Sequence, residues 1–233
     1  MYGDLGDDAS SDRVLRQAEE RWPDNTWVYY FLASRDLQGG ERNGAERYAR
    51  RALQANPRDG AALEVLGVID YREGRYAESV ARYRKAYPEL FLAAPLIDAS
   101  NFMVAIDMVP ALQRLGRTDE ALAVLSGSEK VMAELPLLGG SMKWGGRAPN
   151  DALALALRGR KQEALAALRA AERAGWRSGW RFCRDLDPAF DSIRDDPEFK
   201  AIFADIERDM VRQRAELAKR PKDTPLDLRD VSK

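Results

Sequence analysis

The sequence predicts an all-α fold, a stack of antiparallel helix pairs closed by a long C-terminal helix, and three observations carry that prediction. Alanine, leucine, arginine and glutamate dominate and β-branched residues are sparse, so most side chains lose little rotamer freedom in a helix. Small and apolar residues recur at an offset of about 34 positions, the period of a two-helix repeat. Glycine and proline fall between the apolar runs, where helix breaks belong.

The columns are specific. Leu15, Ala49 and Tyr83 align, as do Ala18, Ala52 and Ala86; Leu32 aligns with Leu66, Ala33 with Gly67, Asp36 with Asp70, Gly40 with Gly74, Ala45 with Ser79 and Pro23 with Pro57. Residues 26–37 have helical apolar spacing and stop at Gly39-Gly40. Residues 45–55 form a second helix that Asn56-Pro57 ends. The next unit repeats this with Ala61–Arg72, Gly74, Tyr76–Tyr87 and Pro88. Ala33, Gly67, Ala45 and Ser79 allow close helix approach, and Leu32, Leu66 and Tyr83 fill the space between hairpins. A single hairpin cannot bury its apolar face alone, so stability requires the stack.

These columns resemble the tetratricopeptide repeat, most closely over residues 60–93 through Leu63, Leu66, Gly67, Gly74, Tyr76, Ser79, Tyr83 and Ala86. Asp36 and Asp70 stand where that family usually has tyrosine. The resemblance spans about residues 12–178 and implies a right-handed superhelical solenoid. Units are expected at 26–59, 60–93, 102–135 (Leu112, Gly116, Ala121, Leu125) and 150–178 (Leu155, Gly159, Ala164, Leu168, Ala171), with an insertion at 94–101 and a Gly-rich connector at 136–149. Pro110 is expected to kink the first helix of the third unit. Residues 1–11 are expected to be flexible and 12–25 to form a capping or half-repeat helix. Residues 179–219 are expected to close the stack and 220–233 to be a disordered tail. Asp187-Pro188 and Asp196-Pro197 read as helix starts, the second opening a helix to about Lys219 with Phe199, Ile202, Phe203 and Ile206 as its apolar stripe. The run 187–199 is similar to the closing segment of repeat modules in bacterial cyclases, kinases and winged-helix regulators, which implies a sensory or partner-binding part of a signalling protein.

Composition excludes several functions. The net charge is -1 with 32% charged residues, which argues against a polyanion binder and so against nucleic acid. There is no histidine, the commonest general base and zinc ligand, and Cys183 is the single cysteine. No apolar run approaches the length of a membrane span, and no signal peptide is visible, so a cytoplasmic protein without cofactor, metal or catalytic residues is expected.

In a tetratricopeptide-type array the concave groove is lined by first helices. The candidates there are Trp27, Tyr30, Ser34 and Leu37, then Glu64, Val68 and Tyr71, then Met103, Ile106 and Gln113. The resemblance implies a protein or peptide partner in an aromatic groove. Lysine and asparagine are absent from these positions, so a carboxylate clamp is not expected. The competing arrangement has Trp27 and Tyr30 packed under the 12–22 helix. Residues 139–147 imitate a phosphate loop but lack its lysine, and Met142, Lys143, Trp144 and Arg147 stand as a second contact region. The aspartates at 185, 187, 191, 195 and 196 lack the glycine that a calcium loop needs at its sixth position, where Phe190 stands. Self-association into a homo-oligomer is the alternative to partner binding.

Overall fold

The computed structural model describes residues 2–134 and 149–219, and these contain eleven α-helices and no strand. They are α1 (Asp8–Arg21), α2 (Thr26–Gln38), α3 (Arg42–Ala55), α4 (Gly60–Arg72), α5 (Tyr76–Ala86), α6 (Phe102–Arg114), α7 (Thr118–Glu134), α8 (Asn150–Leu157), α9 (Lys161–Arg173), α10 (Trp180–Asp185) and α11 (Pro197–Ala218). Two 3₁₀ turns, Pro88–Phe91 and Pro188–Phe190, punctuate the chain.

From α2 to α9 each helix packs on the next, and the odd partners join through shared first helices: α2 packs on α4, α4 on α6 and α6 on α8. One turn makes all four hairpins. Gly40, Gly74, Gly116 and Gly159 adopt positive φ after α2, α4, α6 and α8, a conformation that glycine reaches without steric cost. In each case the next N–H donates back across the turn: Glu41 to Asp36 O at 2.7 Å, Arg75 to Asp70 O at 2.8 Å, Arg117 to Leu112 O at 3.0 Å and Arg160 to Leu155 O at 2.9 Å. These are Schellman closures, which satisfy helix-terminal carbonyls while reversing the chain.

Asp36 and Asp70, which align at the 34-residue offset, serve these hairpins. Asp70 is 2% exposed and accepts from Arg75 Nε at 3.0 Å and from Arg82 Nη1 at 2.5 Å, pinning α5 to the end of α4. Asp36 is buried beside Arg35 and lies against Gly44, where an added Cβ would fall 2.1 Å from Asp36 Oδ2. Gly67 lets α5 approach α4 in the same way, because a Cβ there would meet the Tyr83 hydroxyl at 2.5 Å. That hydroxyl donates to Leu63 O at 3.2 Å.

The ends differ from expectation at one terminus. Residues 2–7 are folded rather than a flexible leader: Leu5 is buried in the larger core, and Asp7 caps α1, which begins four residues before the predicted Asp12. Gly179 N and Trp180 Nε1 donate to Asp4 Oδ1 and Asp4 O at 2.9 and 2.8 Å, so the N-terminal residues dock on the start of α10. At the other terminus α11 starts at Pro197 under an Asp196 cap, and Phe199, Ile202, Phe203 and Ile206 are buried as the stripe requires. Helix α6 runs through Pro110. The connector and the tail, with Met142, Lys143, Trp144 and Arg147, lie outside the described residues. No described helix is long and apolar enough to cross a membrane.

Asp70→Ala is expected to lower unfolding stability by about 2–3 kcal/mol, the scale for removing one partner from a buried charge-assisted pair. Gly67→Ala should cost about 1–3 kcal/mol through overpacking against Tyr83. Urea titration followed by circular dichroism measures both, and a change below about 0.5 kcal/mol for either contradicts the account of the hairpins.

Candidate functional site

The face presented by α2, α4, α6 and α8 is not an open groove. Residues 180–190 lie against it: α10 packs on α2, and the 3₁₀ turn at Pro188–Phe190 packs on α6 and α8. Phe190 is fully buried, its ring 5.7 Å from Phe199, which is 4.6 Å from Phe203. Arg72, at the end of α4, clamps the segment by donating to Leu186 O and to both Asp191 carboxylate oxygens, each at 2.9 Å. Arg194 ties the same loop from behind, donating to the carbonyls of Cys183, Arg184 and Asp187. This cover corrects the expectation of a free first-helix surface.

The cover leaves a narrow cleft, with room for about one water molecule, between itself and the helices. Glu64, Val68 and Tyr71 of α4 form one wall, Ile106, Asp107, Pro110 and Ala111 of α6 another, and Phe182, Asp187, Pro188 and Ala189 of the cover the third. Leu153 closes the α8 side, and Ser79 and Tyr83 form the floor below Gly67. Of the predicted groove residues, Glu64, Val68, Tyr71 and Ile106 are therefore brought together. Tyr30 is half-buried, with its hydroxyl facing Glu64. The remainder do not converge there. Ser34 is buried and accepts from Gln38, Leu37 is half-buried in the smaller core, Met103 packs against the larger core, and Gln113 donates to Leu157 O at 2.8 Å. Trp27 is 57% exposed, in an aromatic group with Tyr30 (centroids 6.1 Å) and Phe31 (6.4 Å), and so is not packed under α1.

Three residues that sequence reasoning missed decide the chemistry. Asp107 follows Met103 by four and Ile106 by one, so the groove spacing already placed it on the same face. Asp187 was read only as a cap, and it does accept from Ala189 N at 2.9 Å. Ser79 was read only as a small packing residue. No sequence signal placed Asp187 and Ser79 with Glu64, since that depends on where the last segment folds.

Electrostatics in the cleft follow chiefly from burial. Burial, then the charge of Asp187, pushes the Glu64 carboxyl up to about 8. Burial, then Glu64 and Asp187, holds Asp107 well above the ordinary carboxylate range. Asp187 rises to about 6, again chiefly by burial, with Arg194 and Arg72 opposing the rise. The charge of Glu64 and burial raise the Tyr30 phenol, and burial raises the Cys183 thiol, which favours its protonated form. Among the described residues no group of histidine, cysteine and carboxylate side chains is arranged to hold a metal ion. Asp187 and Asp196 cap the 3₁₀ turn and α11, in keeping with the structural reading of the acidic run.

No protein-family model and no curated protein matches this chain. The resemblance to tetratricopeptide repeats thus stands on the residues quoted above.

Because the folded state holds protons that the unfolded chain releases, the cleft stabilises the fold at low pH. That contribution is complete below the unfolded carboxyl values and is lost as pH rises through about 6 for Asp187 and about 8 for Glu64. The melting temperature should therefore fall between about pH 5.5 and pH 8.5, and Glu64→Gln should flatten that fall. Differential scanning calorimetry checks it; a wild-type melting temperature that rises over this window contradicts the assigned electrostatics.

Proposed function

We propose that this chain is a non-enzymatic recognition module of the tetratricopeptide type, a right-handed solenoid whose first-helix face receives a peptide or a partner domain. The observation that carries the reading is the cleft on that face, together with the exposed Trp27 and Phe31 rings and the half-buried Tyr30 on α2. Rigid rings give contact area at small entropic cost, and a concave site with a few convergent polar groups is the common form of a binding site. The residues around the cleft supply carboxylates and rings but no nucleophile with an adjacent base, so the arrangement suits binding better than turnover. The cover narrows what the inner face can receive: a whole helix laid along it would collide with residues 180–190.

Selection of displayed peptides against the full chain tests the reading. Binding peptides should emerge, and their affinity should fall about tenfold or more in Tyr30→Ala, the scale for an aromatic contact residue, with unchanged circular dichroism. Failure to select any peptide, or equal affinity for the variant, removes the groove assignment.

A further inference from the structure

Helix α1 is attached to the fold unlike the rest. It alone among the described helices contributes no buried residue, and of its apolar side chains Leu15 and Ala18 pack on the smaller core. Val14 is 44% exposed. What holds α1 is charge. Asp12 pairs with Arg35 of α2, Glu19 with Arg51 of α3 at 3.5 Å, and Asp8 with Arg181 of α10 at 2.9 Å. The Tyr48 hydroxyl donates to Glu19 Oε2 at 3.3 Å. Ion pairs that water reaches contribute little each, and salt screens them. A helix of 14 residues is marginal by itself in water, so α1 melts once it leaves the hairpin.

Two further features mark α1 as a unit that opens separately. Its ends are breaks: Gly6, at positive φ, precedes it, and Trp22, Pro23, Asp24 and Asn25, all exposed, follow it. Ahead of Gly6 the chain has its own anchors, buried Leu5 and the bonds of Asp4 to Gly179 and Trp180. Beneath α1, closure carries a cost. Tyr29 is 1% exposed, and its hydroxyl makes no hydrogen bond among the described residues. The charges of Glu19 and Asp24 act on that hydroxyl, which places it under the C-terminal half of α1, and Arg51 lies over the ring, 4.7 Å from its centroid. A buried hydroxyl without a bond is unfavourable, and opening α1 admits water to it.

We propose that α1 is a salt-sensitive latch, which opens as a unit from the α2–α3 hairpin while residues 2–7 and both cores stay closed. Asp12 on Arg35 and Glu19 on Arg51 set the closed population, and the unbonded Tyr29 hydroxyl opposes it. Opening uncovers Tyr29, Tyr48 and Arg51, none of which lines the cleft. The inference is therefore independent of the recognition reading above.

Amide hydrogen exchange of the full chain, resolved by residue with NMR, tests this at about 0.05 M and about 1 M NaCl. At low salt the amides of residues 12–21 should share one protection factor, about tenfold or more below those of α2 and α3. High salt should widen that gap about threefold or more while α2 and α3 keep their protection. Asp12→Asn combined with Glu19→Gln should speed exchange of α1 about threefold or more and remove most of its salt response. Tyr29→Phe should slow it about threefold or more, an effect that loose packing alone does not produce. The wild-type salt series stands whatever the variants do to the fold. Protection of α1 equal to that of α3, or a gap that salt leaves unchanged, overturns the proposal. Protection graded along α1 marks fraying from one end and overturns it as well, and so does exchange in Tyr29→Phe as fast as in the wild type.

Discussion

The inner face of the four hairpins has to be covered, and the cover supplied by residues 180–190 is the constraint on which the site depends. First helices rich in apolar residues, α4 and α6 above all, cannot leave both sides to water. Phe182, Ala189 and Phe190 provide the missing contact, and fully burying a side chain such as Phe190 contributes on the order of 2–3 kcal/mol. Arg72 then fixes the depth of the cover, because its guanidinium spans Leu186 O and Asp191 at once. A bidentate contact of this kind sets position as much as energy. Phe190 continues through Phe199 and Phe203 to Trp176, whose ring lies 6.1 Å from Phe203. The cover, α9 and α11 therefore form one packed end. The cleft is what remains between the packed cover and the helix layer.

Much of this order is readable from residues, and the part that is not has a physical reason. The hairpins are written locally: Gly40, Gly74, Gly116 and Gly159 each stand where a helix must reverse, and the same closing bond forms at every one. Pro197 and the Phe199–Ile206 stripe likewise declare α11, since a capped start and a helical apolar period are short-range signals. The fold of residues 2–7 is not local. Leu5 and Asp4 find their partners at Gly179 and Trp180, across nearly the whole chain, and a short polar stretch contains nothing that names such a partner. The candidate site divides along the same line. Glu64, Val68, Tyr71 and Ile106 share a face by helical spacing alone, whereas Asp187 joins them only because the last segment turns back over the first helices. Trp27 illustrates the converse: its column places it in the groove, but the cover stops short of it and leaves the ring exposed.

The carboxylates of this protein fall into two populations, and their difference carries more information than either alone. Asp70 is only 2% exposed, yet Arg75 and Arg82 meet it directly, and Asp36 has Arg35. On the surface Asp205 and Asp209 have Arg169 and Arg177 as their partners and are held below the ordinary range. The chain has 37 lysines and arginines for 38 acidic residues, so cations are not scarce. Carboxylates that serve the architecture often have a cation at hand, as Asp70 has Arg75 and Arg82 and as Asp196 has Lys161. Along the cleft Glu64, Asp107 and Asp187 converge with no basic side chain among the lining residues, Glu64 facing the Tyr30 hydroxyl and Asp187 accepting from Ala189 N. Burial and mutual charge favour the protonated form of such carboxyls, which is why all three lie above the ordinary carboxylate range.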